Sequence, residues 1–234
     1  MLTEQETTNV KRIYSYLPIL LVLSCAPLAR AQGSFDLALG FGTQHAKATG
    51  TGIDNTTFAP CLPSSASTTC EATPDLGGLF MGFEGNAMLN KHIGFGGTLN
   101  FQPAKSNYGP IQSRELFYDF DGLYAPINRK NVQFRIEAGV GGAHFGTSYT
   151  ATSCIGSAVC QSETEPSGSS SHFQVHVGAG VQFYVKDHFF VRPEFDFREV
   201  PGLSGTYGST STYQYGTNQV IGFTVWVGYN FGEM

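Results

Sequence analysis

The sequence predicts an all-β protein that folds as one closed, eight-stranded, antiparallel β-barrel spanning a membrane. Three observations predict this fold. Apolar residues alternate with small or polar ones through eight segments, long and short polar connections alternate between these segments, and the first residues have the features of an export signal.

The alternation has a period of two, which is the strand period because successive side chains of a strand point to opposite faces. The alternating segments cover residues 35–41, 79–89, 93–101, 116–124, 133–141, 173–185, 189–198 and 221–231. In the sixth segment, Phe173 and Val175 alternate with Gln174 and His176. Pro193 fits poorly inside the seventh segment because it cannot donate a hydrogen bond there. A bulge would accommodate it, although the sequence does not show one.

The connections between the segments differ strongly in length. Short polar turns fall at residues 90–92, 128–131 and 186–188. Longer polar loops fall at residues 48–75, 104–113, 148–171 and 200–218. Because the two kinds alternate, all turns lie at one end of the barrel and all loops at the other. This asymmetry, with an even strand count, is typical of outer-membrane barrels, in which the turns and both termini are periplasmic.

The two faces of the strands indicate which side contacts lipid. One face is crowded with Phe, Val, Leu and Tyr, and the other is rich in Gly, Asn and Gln with a few charges of both signs. The interior of an eight-stranded barrel is narrow and must be filled by side chains, so the small and polar face is predicted to point inward. The alternative is a soluble, lipocalin-like carrier, in which the apolar face would line a ligand cavity.

The charged residues of the inward face are predicted to form a structural network of salt bridges and hydrogen bonds, because an unpaired buried charge is costly. Its members are Glu84, Asp119, Asp121, Arg135, Glu137, Arg192, Glu194, Asp196 and Arg198. The alternatives are a proton or ion path through the barrel and a carboxylate pair that performs acid/base chemistry.

Residues 1–31 are predicted to be a secretory signal peptide, which leaves residues 32–234 as the barrel domain. Two basic residues precede the apolar run 13–23, and Ala-Arg-Ala at residues 29–31 is a cleavage pattern. The apolar run is shorter than the roughly 20 residues that a membrane-spanning helix needs. An alternative lipoprotein-type cleavage would make Cys25 a lipid anchor.

The composition argues against a nucleic-acid-binding protein. The chain of 234 residues has a formal net charge of -5, whereas a nucleic-acid-binding protein would show a basic patch. Only 13% of the residues are charged, against about 25% in a typical soluble protein. A low charge content suits a protein whose outer surface is mostly in lipid.

Four cysteines lie in the predicted loops as two close pairs, Cys61 with Cys70 and Cys154 with Cys160. In an exported protein an even count predicts disulfides, and we expect each pair to close locally. A metal site is the alternative, but no His or second acidic ligand lies at finger-like spacing.

The mature chain resembles the small outer-membrane β-barrel superfamily, which includes outer-membrane-protein-A-like and opacity-protein-like barrels. The resemblance rests on the signal peptide, the Gly-rich alternating strands, the segment 190–198 (FVRPEFDFR) and the ending 225–231 (VWVGYNF). It implies that Tyr229 and Phe231 form the signal read by the barrel-assembly machinery. In the family that pattern ends on the aromatic residue itself, whereas three residues follow Phe231 here.

The sequence predicts a structural or surface-interaction protein of the bacterial outer membrane, acting as a monomer with outer-membrane lipid around it. Loops 48–75, 148–171 and 200–218 would contact an extracellular ligand. A narrow, porin-like channel is the first alternative, and a lipid-modifying enzyme is the second. An enzyme would need a Ser, a His and an acid at one rim, and His176 with Glu194 would supply a His/acid pair. We expect no catalytic, cofactor or metal residues, and no nucleic-acid partner.

Overall fold

The computed structural model describes residues 33–48, 52–54, 59–62, 69–73, 75–108, 111–155, 159–207, 211–214 and 218–232. The predicted signal peptide, Cys25 and the predicted cleavage site lie outside these residues. The described strands are β1 (Phe35–His45), β2 (Gly52–Asp54), β3 (Pro60–Cys61), β4 (Cys70–Ala72), β5 (Leu79–Met88), β6 (Ile93–Phe101), β7 (Ser106–Tyr108), β8 (Ile111–Arg129), β9 (Val132–Ile155), β10 (Val159–Lys186), β11 (Phe189–Glu199), β12 (Ser204–Tyr207), β13 (Ser211–Gln214) and β14 (Gln219–Asn230). Among the described residues, none belongs to a helix of the length and hydropathy that crossing a bilayer requires.

Eight of these strands close into a barrel, as the sequence predicts. Going around it, β1, β5, β6, β8, β9, β10, β11 and β14 each pair with the next in antiparallel fashion, and β14 pairs back with β1. The closing ladder sets Asp36 opposite Asn230. The two ends of the described barrel therefore meet at one rim.

The two faces of the strands are divided as the alternation predicts. Phe120 and Phe195 point outward and are 70% and 67% exposed, whereas their neighbours Asp119 and Asp196 are 1% and 3% exposed. An apolar outer surface with a polar interior suits a barrel that is surrounded by lipid. It is the reverse of the soluble, lipocalin-like arrangement.

Tight turns close the rim that the sequence predicts to be periplasmic. In the turn after β5, the Asn90 side chain accepts hydrogen bonds from the backbone N–H groups of His92 and Ile93, at 2.8 and 2.9 Å. In the turn after β10, Asp187 has a φ of +26°, a conformation that Asp tolerates better than most residues. Short turns keep the β5–β6 and β10–β11 registers fixed.

The predicted outer loops contain more β-structure than the sequence indicates. The segment predicted as loop 148–171 mostly continues β9 and β10 as a long hairpin, with a register shift between Pro166 and Gly168. Hairpins also occur in the second and fourth loops, and β2 pairs with β3 and β4 in the first. Beyond the membrane both faces of a strand can be wet, so the backbone ladder continues while the apolar alternation stops.

Pro193 is accommodated in β11 without a β-bulge at its position. It is paired with Val225 of β14, and the β10–β11 ladder passes from Gly180↔Glu194 to Phe183↔Val191 in one register. The irregularity of this ladder lies between Tyr184 and Lys186, toward the turn. A proline here is therefore tolerated within a regular stretch of β11.

Candidate functional site

The interior is the first candidate site, and its lower part is organised around Glu84. This carboxylate of β5 accepts hydrogen bonds from Arg135 of β9 and Arg192 of β11. The Nε atom of Arg192 also donates to Glu194 at 2.8 Å. The other oxygen of Glu194 accepts the indole N–H of Trp226 at 2.7 Å. The group thus links β5, β9, β11 and β14 across the lumen.

A second group lies nearer the outer end. The Arg198 guanidinium donates from Nε and Nη2 to one oxygen of Asp119, at 3.3 and 3.1 Å. The two ring nitrogens of His176 lie 3.0 Å from Asp121 and 3.0 Å from Asp196. Imidazole can donate through both nitrogens only as the cation, so these contacts suit a charged ring. The group links β8, β10 and β11.

The structure brings all nine predicted network residues to the interior, where each is buried. The His176/Glu194 pair considered for the enzyme alternative does not form, because His176 binds Asp121 and Asp196 instead. The reason is register, because His176 lies opposite Arg198 while Glu194 lies opposite Gly180. The structural role of the network stays a prediction.

An apolar cluster lies at the outer end of the lumen, and the sequence analysis missed it. Phe117 lies 5.9 Å from Phe80 and 6.0 Å, edge-on, from Phe145, measured between ring centroids. This outer apolar cluster consists of Ala46, Leu76, Phe80, Phe117, Ala143, Phe145, Val200, Leu203 and Val220. In the alternation of β8, Phe117 lies on the same strand face as Asp119. In β9, Phe145 lies on the same face as Gly141. The alternation at the strand ends therefore already indicated that these two rings point inward.

Trp226 is another interior residue that the sequence analysis did not single out. It is the single tryptophan of the chain and is 1% exposed. A Cβ placed on either Gly40 or Gly82 would lie 2.6 Å from the indole. The two glycines of β1 and β5 thus leave the space that the ring occupies. Its alternation with Val225 and Val227 would have placed it inside.

The periplasmic end of the lumen is also filled. Ala38, Phe190 and Trp226 form one small buried cluster, and Met88, Leu123 and Ala125 form another. At the rim, the Asn230 amide donates to Asp36 at 2.5 Å. Apolar side chains therefore lie on both sides of the groups around Glu84 and Asp119, while Asp36 and Asn230 continue the polar interior to the rim.

A serine and a histidine side chain meet near the outer rim, which bears on the enzyme alternative. The Nδ1 atom of His144 lies 2.9 Å from the hydroxyl of Ser171. A nucleophilic serine also needs a group that orients its base. Among the side chains that the structure describes, no carboxylate hydrogen-bonds His144. The geometry is that of a polar pair between β9 and β10.

The disulfide between Cys61 and Cys70 is confirmed, and its Cα atoms lie 6.0 Å apart. It ties β3 to β4 within the first loop, where Thr69 also donates to Asp54 at 2.7 Å. Cys154 and Cys160 face each other in the β9–β10 register. Their side chains lie outside the described part of the chain, so the second disulfide stays a prediction.

The outer loops contact one another, which makes them a second candidate site. The Ser204 carbonyl accepts the Ser170 hydroxyl at 2.6 Å and lies 2.7 Å from Nε2 of His172. Lys105 of the second loop donates to Ser148 of β9 at 2.9 Å. Hydrogen bonds between loops hold them in one arrangement, so a partner would meet a preformed surface.

The predicted assembly residues lie in an aromatic group at the periplasmic rim. Tyr229 lies 4.7 Å from Phe231, 4.9 Å from Phe189 and 5.4 Å from His188, between ring centroids. Aromatic residues favour the membrane interface, and this position fits that preference. Recognition of Tyr229 and Phe231 by assembly machinery stays a prediction.

Comparison with known proteins gives the family. Residues 16–231 match the family described as outer membrane protein beta-barrel domain. No curated protein sequence matches the chain at a significant level. Neisserial surface protein A is similar in structure, with a TM-score of 0.50, 10% identity, and coverage of 85% of this chain and 98% of that one.

Two further barrels are similar at a lower level. Ail, the attachment invasion locus protein of Yersinia pestis, has a TM-score of 0.46 and 15% identity, with 86% of this chain and 99% of that chain covered. OprG from Pseudomonas aeruginosa has a TM-score of 0.45 and 12% identity, with 88% and 99% covered. At these identities the likeness concerns the fold.

Proposed function

The chain belongs to the outer membrane protein β-barrel family of the bacterial outer membrane, and we propose that it acts there as a sealed barrel whose loops contact the cell's surroundings. The observation that carries this proposal is the outer apolar cluster. Five of its nine residues lie on inward-facing positions of β5, β8, β9 and β14, and the other four lie in the segments between barrel strands. Because a sealed lumen conducts nothing, the proposed function depends on contacts that the outer loops make.

The filling of the lumen favours a sealed barrel over the narrow channel. Phe80, Phe117 and Phe145 are at most 1% exposed, so the outer cluster leaves them almost no contact with solvent. Beneath them, Arg198 and Arg192 are fully buried and bind carboxylates of other strands. Moving an ion through this layer would require breaking buried charge pairs, which is costly.

The arrangement of the loops supports the contact role. The first loop has a three-stranded sheet with a disulfide, and β12 of the β12–β13 hairpin packs against β9 and β10. A preformed surface loses less conformational entropy when it binds than a flexible loop does. The loops are thus built as a stable outer platform for contacts with a partner.

Planar-bilayer conductance of the purified barrel tests the seal. We expect no current steps from the wild type, because apolar residues close the outer end. The double variant Phe117→Ala, Phe145→Ala should give small current steps. The matched control, Phe120→Ala with Phe195→Ala, removes the same groups from the lipid face and should stay silent. Steady steps from the wild type would instead establish the narrow channel.

Replacement of a loop tests the contact role. Residues 204–214, which include β12 and β13, can be exchanged for a short Gly/Ser linker in the full-length protein. We expect attachment of intact cells to surfaces or to one another to fall, while the heat-dependent gel mobility of the barrel is unchanged. If attachment is unchanged in cells with a correctly folded variant, the contact role of this loop is wrong.

A further inference from the structure

The interior holds more carboxylates than cationic groups. Among the described residues, eight carboxylates are buried, against three arginines and one histidine. The carboxylates belong to Asp36, Glu84, Glu115, Asp119, Asp121, Glu137, Glu194 and Asp196. Several negative charges therefore remain even if the imidazole is charged. Because uncompensated buried charge is costly, protons or a bound cation must neutralise them.

The cationic groups are unevenly shared, and Glu137 is among the carboxylates to which none of them donates a short hydrogen bond. Arg192 and Arg198 bind Glu194 and Asp119 at hydrogen-bond distances, whereas the nearest guanidinium nitrogen to Glu137 is 3.5 Å from Oε2. Its other oxygen, Oε1, has no hydrogen-bond partner among the described residues, although Glu137 is 97% buried. The nearest His176 nitrogen is 3.9 Å from Oε1, too far for a hydrogen bond.

Glu137 lies among other carboxylates at a distance that suits one ion. Single oxygens of Glu137, Glu194 and Asp196 all lie within 4.8 Å of one another. An ion that binds oxygen at about 2.3 to 2.6 Å can contact all three from a central position. The backbone makes room for the Glu137 side chain of this group: Gly178 is paired with Glu137 on one side and Asp196 on the other. A Cβ there would lie 2.9 Å from Oε1 of Glu137.

We propose that a divalent cation that prefers oxygen ligands, of the Ca²⁺ or Mn²⁺ type, is bound by Glu137, Glu194 and Asp196 inside the barrel. Three carboxylates and no sulfur ligand favour hard cations. His176 also lies near Glu137 and Asp121, but both its nitrogens already contact carboxylates. It orients Asp121 and Asp196 as an outer-layer partner of the ligands.

The apolar layers make exchange of this ion slow. The outer apolar cluster lies on one side of the carboxylates, and Phe190, Trp226 and Ala38 lie on the other. The ion is therefore taken up as the barrel folds, and a chelator cannot remove it from the folded protein. An ion inside the barrel stays bound when a chelator is added, whereas an ion bound to the loops is removed, and this difference distinguishes the two.

Metal content of the folded protein tests the proposal directly. The full-length chain is refolded from urea into detergent with Mn²⁺ or Ca²⁺, washed with EDTA and separated from free ions. Metal is then measured by mass spectrometry. We expect about one ion per barrel, released by EDTA only after the barrel is unfolded by heat. A folded wild type that keeps no ion would overturn the proposal and show that protons neutralise the interior.

A matched pair of variants locates the site. Glu137→Gln should lower retention by about tenfold or more, whereas Glu115→Gln removes a buried carboxylate outside the cluster and should retain the ion. Heat-dependent gel mobility shows which variants fold. Equal retention by Glu137→Gln and the wild type would contradict the site. If Glu137→Gln does not fold, the wild-type measurement still decides whether an ion is held.

Discussion

Substituting Arg192 by Met should destabilise the barrel strongly, because this side chain joins two carboxylates. Arg192 is fully buried and binds Glu84 and Glu194. Without it, Glu84 keeps only Arg135 among its cationic partners, and Glu194 keeps the Trp226 indole with Arg135 3.9 Å away. Breaking a buried charge pair costs about 3 to 5 kcal/mol.

We expect Arg192→Met to lower the free energy of unfolding by about 4 kcal/mol, which is about a thousandfold in the unfolding equilibrium. The assay is urea unfolding in phospholipid vesicles, followed by fluorescence of the single tryptophan, Trp226. Arg192→Lys keeps the charge but loses the planar fork, so it should give an intermediate loss.

The control is Arg129→Met, which removes an exposed arginine at the end of β8. A surface change of this kind should alter stability by no more than about 0.5 kcal/mol. A loss of less than about 1 kcal/mol for Arg192→Met would refute the claim that charge pairs in the lumen stabilise this barrel.

Three further changes have defined outcomes. Cys61→Ser with Cys70→Ser should make the first loop more sensitive to added protease on intact cells, while the gel mobility of the barrel stays unchanged, because the disulfide lies outside the barrel wall. Gly82→Val should lower stability by about 1 to 3 kcal/mol and shift tryptophan emission to the red, because a Cβ would lie 2.6 Å from the Trp226 ring. His176→Leu should lower the free energy of unfolding in vesicles by about 3 kcal/mol, because Asp121 and Asp196 both lose a partner. A loss of no more than about 0.5 kcal/mol, the size of a surface change, would contradict that role.

The barrel could be predicted from the sequence because each barrel strand has one face of polar or small residues and one apolar face. A strand with this alternation has a fixed inside and outside, since a slip by one residue would reverse every side chain. Asp119 and Phe120 show the result: adjacent in sequence, they are 1% and 70% exposed. The number of strands and the end that has the short turns follow from the connections.

Pairing inside the lumen could not be predicted, because it depends on register between strands distant in sequence. Glu84 and Arg192 are 108 residues apart yet in contact. The same alternation that placed them inside would also allow other partners, as the His176/Glu194 pair considered for an enzyme illustrates. The outer apolar cluster was missed for a different reason: Phe80, Phe117 and Phe145 interrupt a polar face, so the alternation weakens where they lie.

The extent of the outer hairpins was also beyond the sequence. Residues 148–155 and 159–171 are rich in Ser and Thr and carry no apolar alternation, yet their backbones pair across β9 and β10. Backbone hydrogen bonds are available to any sequence, and outside the membrane no lipid face imposes a pattern on the side chains. The segment 148–171 therefore has an irregular pattern although its described residues are mostly paired.

Iodide quenching of Trp226 in vesicles tests most directly whether the barrel is sealed. Trp226 is the only tryptophan of the chain and lies in the lumen, 1% exposed, where it packs with Ala38 and Phe190 and donates a hydrogen bond to Glu194 of the polar network. We predict blue-shifted emission that iodide does not quench until the barrel is unfolded. Red-shifted emission that iodide quenches in the folded barrel would mean that water and ions reach the lumen, and a sealed barrel would be wrong.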